Sequence, residues 1–350
     1  MRRNLMLSMV VVGLLFGFAA DARAAGWTAG GADDRWDNAA NWNPGVPGIG
    51  DFATFTNATA NPNDPPHVAL IDSANVGGNV AESARVILGD NDTEDDSTVN
   101  QTGGTFNIAT QFDVGFIGKG TYNLTGGTAT VTTRLGIGGG NSGGKPHGIV
   151  TVNGGALSAD NITLGTSHDG STTFQHQLNL ISGSVDANVM YLGDESATDS
   201  RIDMTGGTMT VGDLGIITAS GISGTAIGHF QLDDGILNVT NATPATQGEG
   251  GVATGFRIIN SGTLLGSMDI TGSGKMVLAG AEADVATALA VYTGAGTLTG
   301  NGSGGNVNVF FNSGTGFTEV TAIPEPGTLT LAALGLLSLV GMGRRRRDRR

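Results

Sequence analysis

A glycine recurs through the middle of the chain at a nearly constant interval, and this repeat restricts the possible folds more than any other feature. Each anchor is the second residue of a Gly-Gly pair, or of a pair in which another residue replaces the first glycine. Successive anchors lie 23 to 28 residues apart. The anchors are Gly104, Gly127, Gly155, Gly183, Gly207, Gly235 and Gly262. This period is shorter than the roughly 40 residues of a propeller blade.

Apolar residues keep a fixed register around the anchors, at five and three positions before each glycine and at two and four positions after it. The column five positions before consists of Val99, Tyr122, Val150, Leu178, Ile202 and Phe230. Such alternation is typical of half-buried strands, and its phase changes at the glycine, where a turn redirects the chain. Gln101, Arg257 and Gly266 interrupt the register near the ends of the array.

A third apolar patch follows most anchors, for example at residues 162–164, 190–192 and, slightly shifted, 116–117. Three short strands per repeat fit one coil of a parallel β-helix, in which coils stacked about 4.8 Å apart bury a continuous core. The sequence therefore predicts an all-β body, a parallel β-helix (β-solenoid) of about seven to nine coils over residues 67–293. An antiparallel sandwich or a propeller, which also use short strands and glycine turns, is the alternative.

Both flanks of the repeat region differ from it in composition. Residues 294–323 are rich in glycine, asparagine and serine around an apolar stretch, which predicts a last strand and a linker. Residues 25–66 contain all three tryptophans of the chain, within sixteen positions. We interpret this segment as an N-terminal cap that closes the open end of the β-helix. Exposed tryptophans that stack on sugars are the alternative.

The tryptophan-rich segment also resembles the opening segment of secreted bacterial β-solenoid surface proteins, including those related to autotransporter passenger repeats. The resemblance is carried by Trp36, Asn41, Trp42, Pro47 and Asp51. It implies that a solenoid follows directly in the chain.

The N-terminal end has the pattern of a secretory signal peptide. Arg2 and Arg3 precede an apolar run over residues 5–20, and Ala22 and Ala24 supply the small residues of a processing site. The pattern predicts a signal helix in residues 1–24, cleavage after Ala24, and the secretion machinery as a partner. An uncleaved N-terminal anchor is the alternative.

The C-terminal 27 residues have three parts in a fixed order. Pro324, Glu325 and Pro326 form a rigid tripeptide that cannot join a helix interior or a central strand. Residues 327–343 carry no charge and would form a transmembrane helix of roughly 25 Å, slightly shorter than the hydrocarbon core of about 30 Å. A cluster of arginines follows and acts as a cytoplasmic stop-transfer signal. These arginines are Arg344, Arg345, Arg346, Arg347, Arg349 and Arg350.

The tripeptide, apolar segment and arginine cluster of residues 324–350 together resemble the PEP-CTERM sorting signal of Gram-negative bacteria. The resemblance implies that an exosortase, a membrane transpeptidase-like enzyme, recognises Pro324, Glu325 and Pro326. The enzyme would then remove the helix and tail and release the body or attach it at the cell surface. The protein would be exported and only transiently anchored in the inner membrane. An ordinary C-terminal anchor, in which the tripeptide is a turn, is the alternative.

The chain between its two membrane-directed ends is strongly acidic. It keeps 8 basic and 28 acidic residues, a net charge of about −20. This charge repels phosphate backbones, so nucleic acid is not expected as a partner. The chain has no cysteine, which excludes disulfides, thiolate metal sites and a cysteine nucleophile.

The densest acidic cluster contains Asp90, Asp92, Glu94 and Asp96, whose oxygens could bind Ca²⁺. It departs from an EF-hand loop, because Asp95 stands where glycine is needed and no glutamate closes the loop. We therefore favour a solvated acidic loop. The five histidines lack the close spacing of metal ligands, and no other metal or cofactor is predicted.

These features predict an exported, non-catalytic surface or extracellular-matrix structural protein, with extracellular polysaccharide as a candidate partner. No serine elbow, phosphate loop or dinucleotide motif stands in a suitable context. One alternative is a secreted β-helix polysaccharide lyase or hydrolase. Hydrolysis would need two carboxylates within reach and lyase chemistry would need a base. The other alternative is a carbohydrate-binding adhesin.

Overall fold

The computed structural model describes residues 23–55, 67–73, 80–90, 96–139, 146–165, 175–193, 199–217, 226–241, 255–279 and 282–323. These residues form twenty strands, one α-helix and two short 3-10 turns, Ala39–Asn41 and Gly304–Asn306. The first nine strands are β1 (Ala24–Trp27), β2 (Trp42–Asn43), β3 (Phe52–Phe55), β4 (His67–Ile71), β5 (Ala81–Leu88), β6 (Asp96–Gln101), β7 (Thr105–Val114), β8 (Lys119–Leu124) and β9 (Thr128–Ile137).

The remaining strands include three that are each 18 residues long. They are β10 (His147–Leu164), β11 (Gln175–Leu192), β12 (Asp199–Ile216), β13 (Ala226–Val239), β14 (Phe256–Ile258), β15 (Asn260–Ser261), β16 (Leu264–Ile270), β17 (Lys275–Leu278), β18 (Leu298–Gly300), β19 (Val307–Asn312) and β20 (Phe317–Ala322). The helix α1 (Glu282–Ala295) lies between β17 and β18.

The strands form one large sheet in which most neighbours are parallel. Strands of successive repeats pair directly, so that Val150 of β10 lies opposite Leu178 of β11, and Leu178 lies opposite Ile202 of β12. One ladder of parallel neighbours runs through nine strands: β1, β3, β5, β7, β9, β10, β11, β12 and β14. The prediction of a mostly β fold is confirmed.

The predicted alignment of the repeats is confirmed from the first anchor to the sixth. Paired residues are 23 positions apart between β6 and β8, and 28 apart between β8 and β10 and between β10 and β11. They are 24 apart between β11 and β12, and 28 apart between β12 and β13. The aligned apolar residues lie on the inner face of the sheet, and the column from Val99 to Phe230 is fully buried.

Neighbouring repeats approach so closely at the anchor glycines that no side chain fits. Gly155 has a φ of +75°, and a Cβ there would lie 2.6 Å from the carbonyl oxygen of Gly127. At Gly235 the equivalent distance, to the carbonyl oxygen of Gly207, is also 2.6 Å. Real Cβ atoms essentially never come within 3.0 Å of another heavy atom, so these positions require glycine for space as well as for backbone conformation.

The prediction that Gly262 anchors a seventh repeat is wrong. Gly262 lies in the turn between the antiparallel strands β15 and β16, where a Cβ would meet nothing within 4 Å. The repeat after Gly235 is formed instead by β16 and β17, so that Phe230 pairs with Met268. β14, β15 and the turn at Gly262 lie between β13 and β16 in the chain, so that these paired residues are 38 positions apart (268 − 230) instead of one period.

One member of the third apolar patch is also misplaced. The sequence assigns it to residues 116–117, but Phe112 and Val114 occupy the position, paired with Leu135 and Ile137 of the next repeat. All four of these side chains are buried. The patch therefore ends β7 rather than following it.

The helix α1 departs from the predicted all-β repeats over residues 67–293. Val285, Leu289 and Tyr292 form its buried face, at helical spacing. The Tyr292 ring meets the Phe256 ring edge-on, with centroids 5.8 Å apart. The alanine-rich composition of this stretch favours a helix, and the helix contacts β18, β19 and β20.

Of the predicted last strand and linker in residues 294–323, the strand is present as β19, but the predicted linker is wrong, because the segment also contains β18 and β20. β18 continues the parallel ladder from β16, while β19 and β20 form an antiparallel hairpin that joins β17. The Ile323 nitrogen donates to the Asn306 carbonyl oxygen at 2.6 Å, and the Ile323 oxygen accepts from Asn301 Nδ2 at 3.0 Å. The chain is therefore hydrogen-bonded to the body up to the residue before the proline tripeptide.

The three tryptophans are buried together at the start of the sheet. Trp27, Trp36 and Trp42 are each at most 4% exposed. The Trp42 ring lies edge-on to the other two, with centroids 4.8 and 4.9 Å away. Trp27 stacks on Phe55, and Trp36 meets Phe106 edge-on with centroids 5.0 Å apart. The cluster thus covers core residues of the first repeats, and these rings do not offer exposed faces to a sugar.

No helix within the described ranges is both long enough and apolar enough to cross a membrane. The predicted signal helix in residues 1–24 lies outside those ranges except for Arg23 and Ala24, and the predicted transmembrane helix in residues 327–343 lies wholly outside them. Both remain predictions from the sequence.

The close approach at the anchors predicts a large loss of stability for Gly155→Ala. The new Cβ must displace the Gly127 carbonyl, and alanine must adopt a left-handed conformation, so we expect a loss of at least about 2 kcal/mol. Chemical denaturation followed by circular dichroism measures it.

Two other alanine substitutions serve as controls for this effect. Gly262 has a φ of +63° but an open surrounding, so Gly262→Ala should cost about 1 kcal/mol from backbone strain alone. Gly50 is exposed with nothing within 4 Å of a Cβ, and Gly50→Ala should change stability by less than about 0.5 kcal/mol. Equal losses in all three variants would contradict the packing described here.

Candidate functional site

Short polar side chains stand in register along the outer faces of the sheet. One column consists of Asn100, Asn123, Thr151, Asn179, Asp203, Gln231 and Asp269. Asn123 Nδ2 donates to Asn100 Oδ1 at 2.9 Å, and Asn179 Nδ2 donates to Thr151 Oγ1 at 3.4 Å. These bonds connect side chains of successive repeats, so the column stabilises the stack as well as forming its surface.

A second polar column borders an open groove of about 510 Å³. Its members are Asn107, Thr130, Ser158, Asp186, Thr210 and Asn238. Asp160 and Asn188 also line the groove, and Asn188 Nδ2 donates to Asp160 Oδ1 at 2.5 Å. The groove therefore presents hydroxyl, amide and carboxylate groups at the regular spacing of the strands, a surface suited to a ligand rich in hydroxyl groups.

The predicted calcium-binding run is only partly described. Asp90 and Asp96 lie at its described ends, whereas Asp92 and Glu94 fall outside the described ranges. Asp96 begins β6, and its Oδ2 accepts from Lys119 Nζ at 2.7 Å. Within the described ranges no group of three or more His, Cys, Asp or Glu side chains could hold a metal ion. Calcium binding by this run stays a prediction.

Asp113 is fully buried and paired with two arginines, an arrangement that the sequence reasoning missed. Its Oδ2 lies 2.6 Å from Arg85 Nη2, and its Oδ1 lies 3.0 Å from Arg134 Nη2. Arg85 and Arg134 stand on β5 and β9, on either side of β7, which carries Asp113. The ion cluster therefore ties three successive repeats together. The feature that could have predicted this ion cluster is the alignment of Arg85, Gln111 and Arg134 in one column of the repeats.

A second buried carboxylate holds both ends of an insertion. Asp213 Oδ1 accepts from Asn241 Nδ2 at 2.7 Å and from the backbone nitrogen of Gly255. Asn241 and Gly255 flank residues 242–254, which lie outside the described ranges. Asp213 thus stabilises the place where the insertion leaves the sheet.

His176, on β11, is a buried titratable group. Its side chain is 2% exposed and fills the space beside Gly138, where a Cβ would overlap the imidazole ring. His176 Nδ1 has no hydrogen-bond partner among the described residues, and the same holds for Oγ of Ser200, its neighbour in register. Burial lowers the pKa of His176 to about 3, and the nearby His147 acts in the same direction. The ring is therefore neutral at physiological pH.

Most of the predicted sorting and processing residues lie outside the described ranges. They are Ala22, Pro324, Glu325, Pro326, Arg344, Arg345, Arg346, Arg347, Arg349 and Arg350. Ala24 is the first residue of β1 and pairs with Phe52 of β3. Arg23, directly before it, lies 3.1 Å from Asp51 Oδ2. Cleavage after Ala24 stays a prediction, and it would remove this ion pair.

Comparison with protein families identifies one region of the chain. A family model described as the PEP-CTERM protein-sorting motif matches residues 322–347. The match starts at the last residue of β20 and covers the proline tripeptide, the apolar segment and four of the six arginines. No curated protein and no solved structure matches the chain.

The fold and the motif together define a mostly parallel β protein that carries a C-terminal exosortase sorting signal. The motif implies that the protein is exported and that its C-terminal signal is associated with a membrane before processing. It also implies an exosortase as the processing partner. The prediction of the sorting signal is confirmed.

The burial of His176 predicts a loss of stability in acid. The imidazole pKa is about 6.5 in an unfolded chain and about 3 in the folded protein, so between these values the unfolded state binds one proton more. The contribution of His176 to folding is present in full above pH 6.5 and falls by up to about 1.4 kcal/mol per pH unit below it. Denaturation midpoints measured from pH 7 to pH 4 test this slope.

The substitution His176→Gln should make the slope of stability against pH smaller, since it removes the buried titrating group. His229→Gln is the matched control, because it removes a half-buried histidine that is hydrogen-bonded to Ser267. If the parent and His176→Gln lose stability in parallel over this range, the buried neutral ring is not the cause.

Proposed function

We propose that the protein is an exported, non-catalytic structural protein of the cell surface or extracellular matrix of a Gram-negative bacterium. Its body would be a rigid β-solenoid that an exosortase frees or attaches after acting at Pro324, Glu325 and Pro326. The observation that carries the proposal is the sorting motif at residues 322–347, which follows a repeated sheet without an intervening linker. The part of the protein that the sorting motif delivers is thus the stack of repeats itself.

The strand pairing supports a solenoid for the body. Nine parallel strands succeed one another along one ladder, which corresponds to a rod of roughly 40 Å at about 4.8 Å per strand. Each repeat pairs chiefly with the repeats before and after it, as in a solenoid. Seven of these strands, β5, β7, β9, β10, β11, β12 and β14, lie within residues 67–293, for which the solenoid is proposed.

The covered ends of the sheet indicate that one rod does not join end to end with other copies of the chain. Buried tryptophans cover the first repeats, and α1 with the β19–β20 hairpin lies beside the last ones. Covered ends lower the tendency of parallel ladders to add further chains at their edges. The net charge of about −20 over residues 25–323 adds repulsion between copies in solution.

The outer polar columns support a structural role rather than a catalytic one. Neighbouring side chains in both columns are bonded to each other, as in the pairs Asn123 with Asn100 and Asn238 with Thr210. A catalytic carboxylate would instead have to be free to exchange a proton or attack a substrate. Short bonded side chains repeated on every strand provide cohesion along the rod.

Carbohydrate binding at the groove is the second candidate function. The groove of about 510 Å³ presents Asp160, Asp186 and Asn188 beside threonine and serine hydroxyls. This array supports an adhesin that holds an extracellular polysaccharide along the rod. The same pair of carboxylates is what a hydrolase would require, so release of reducing or unsaturated sugars by the protein would overturn the non-catalytic proposal.

The sorting proposal predicts the fate of a variant that lacks the two prolines. Pro324→Ala combined with Pro326→Ala should abolish processing, because the rigid extended tripeptide is the proposed recognition element. The full-length precursor should then accumulate in the membrane fraction of the producing bacterium, as seen by immunoblotting. The double variant Pro65→Ala with Pro66→Ala removes two adjacent prolines elsewhere and should be processed normally. Normal processing of both variants would refute recognition at the tripeptide.

A further inference from the structure

The outer face of the C-terminal hairpin carries exposed apolar side chains close to the sorting signal. Alternate residues of an extended chain point to the same side, so Phe317 and Ile323 share the face of Glu319. Phe310 lies opposite Glu319 on β19 and therefore joins that face. Phe310, Phe317 and Ile323 are 37%, 42% and 40% exposed. The three form an apolar patch, which we call the hairpin patch.

The hairpin patch extends over a continuous sheet surface. β20 pairs with β17, and β17 pairs with β13, where Ile236 on the same face is 37% exposed. Lys275 and Glu319 lie within this surface and form an ion pair of 3.3 Å. The two charges neutralise each other, so the surface combines apolar side chains with a compensated polar centre. Such a surface can approach a lipid interface at a low electrostatic cost.

The chain that follows gives the hairpin patch little freedom to leave the membrane. Hydrogen bonds to both backbone groups hold Ile323 on the body. The uncharged segment of residues 327–343 begins four positions later, and four extended residues span at most about 14 Å. The patch must therefore stay within about that distance of the membrane while the sorting signal is attached.

We propose that the hairpin patch docks onto the membrane surface in the unprocessed precursor. Phe310, Phe317 and Ile323 insert among the lipid headgroups, and the sheet formed by β17, β20 and β19 lies along the bilayer. Phenylalanine is among the side chains that interfacial segments bury at the boundary between headgroups and acyl chains. The acidic body is repelled by anionic lipid, so contact with zwitterionic lipid through the apolar patch is favoured. The proposal rests on the membrane-associated sorting signal.

Docking would fix the height at which the sorting tripeptide meets its enzyme. With Ile323 held at the lipid surface, residues 324–326 span the headgroup region between body and bilayer. A membrane-embedded exosortase would then find its recognition element at a constant depth and orientation. The hairpin patch thus acts as a positioning surface for processing.

Fluorescence quenching in vesicles tests the proposal on the full chain. Because the protein has no cysteine, Asn308→Cys places a single dye on the exposed edge strand beside Phe310 and on the same face. Ile181→Cys, at a side chain 46% exposed on β11, provides a matched label remote from the hairpin. Both proteins are reconstituted into phosphatidylcholine vesicles that contain a headgroup-labelled nitroxide lipid.

We expect the dye at residue 308 to be quenched by the nitroxide lipid and to be several-fold less accessible to aqueous iodide than the dye at residue 181. Adding Phe310→Ser and Phe317→Ser to Asn308→Cys should raise iodide quenching to the level at residue 181. Flotation with the vesicles, measured in parallel, reports anchoring by the apolar segment and should not change. A failure of anchoring is thus distinguished from a failure of docking.

Two results would overturn the proposal. Equal iodide quenching at residues 308 and 181 in chains that float with the vesicles would show that the hairpin stays in water. Protection at residue 308 that disappears at high lipid-to-protein ratios, without quenching by the nitroxide lipid, would show that the hairpin patch contacts a second copy of the chain instead.

Discussion

The glycine backbones of neighbouring repeats lie too close together to admit a side chain between them. At Gly155 and Gly235 a Cβ would come within 2.6 Å of the carbonyl oxygen of the preceding anchor. This contact restricts the register of the repeats from Gly104 to Gly235, because a slip by one residue would place a side chain in that gap. The buried apolar columns, the outward polar columns and the cross-repeat ion cluster at Asp113 all depend on that register.

The periodic part of the fold could be predicted because each residue there repeats the environment of its equivalent one period away. The prediction failed where one copy differs, as at Gly262, whose neighbours Ile259 and Leu264 imitate the register around an antiparallel turn. Arg257 and Gly266 broke the pattern at that copy and were the available warning. The helix α1 and the terminal hairpin occur once, so no repeat could reveal them.

The burial and the partners of polar side chains were the second kind of feature that could not be predicted from the sequence. Asp113 and His176 are recognisable only when the residues on adjacent strands are known, since their environment comes from other repeats. The sorting signal, in contrast, is contained in one contiguous segment and was found directly. The sequence therefore predicts the export of the protein more readily than it predicts the surfaces of the folded body. Ile323, which is hydrogen-bonded to the body, joins that body to the sorting signal.

The stacking of repeats can be tested most directly by distances between pairs of spin labels. Nitroxides on cysteines at Asn107 and, in turn, at Ser158, Asp186, Thr210 and Asn238 occupy one outward column of this cysteine-free chain. Pulsed electron paramagnetic resonance should give separations that increase by about 4.8 Å for each repeat between the labels. A separation to Asn238 no longer than that to Ser158 would contradict a parallel stack.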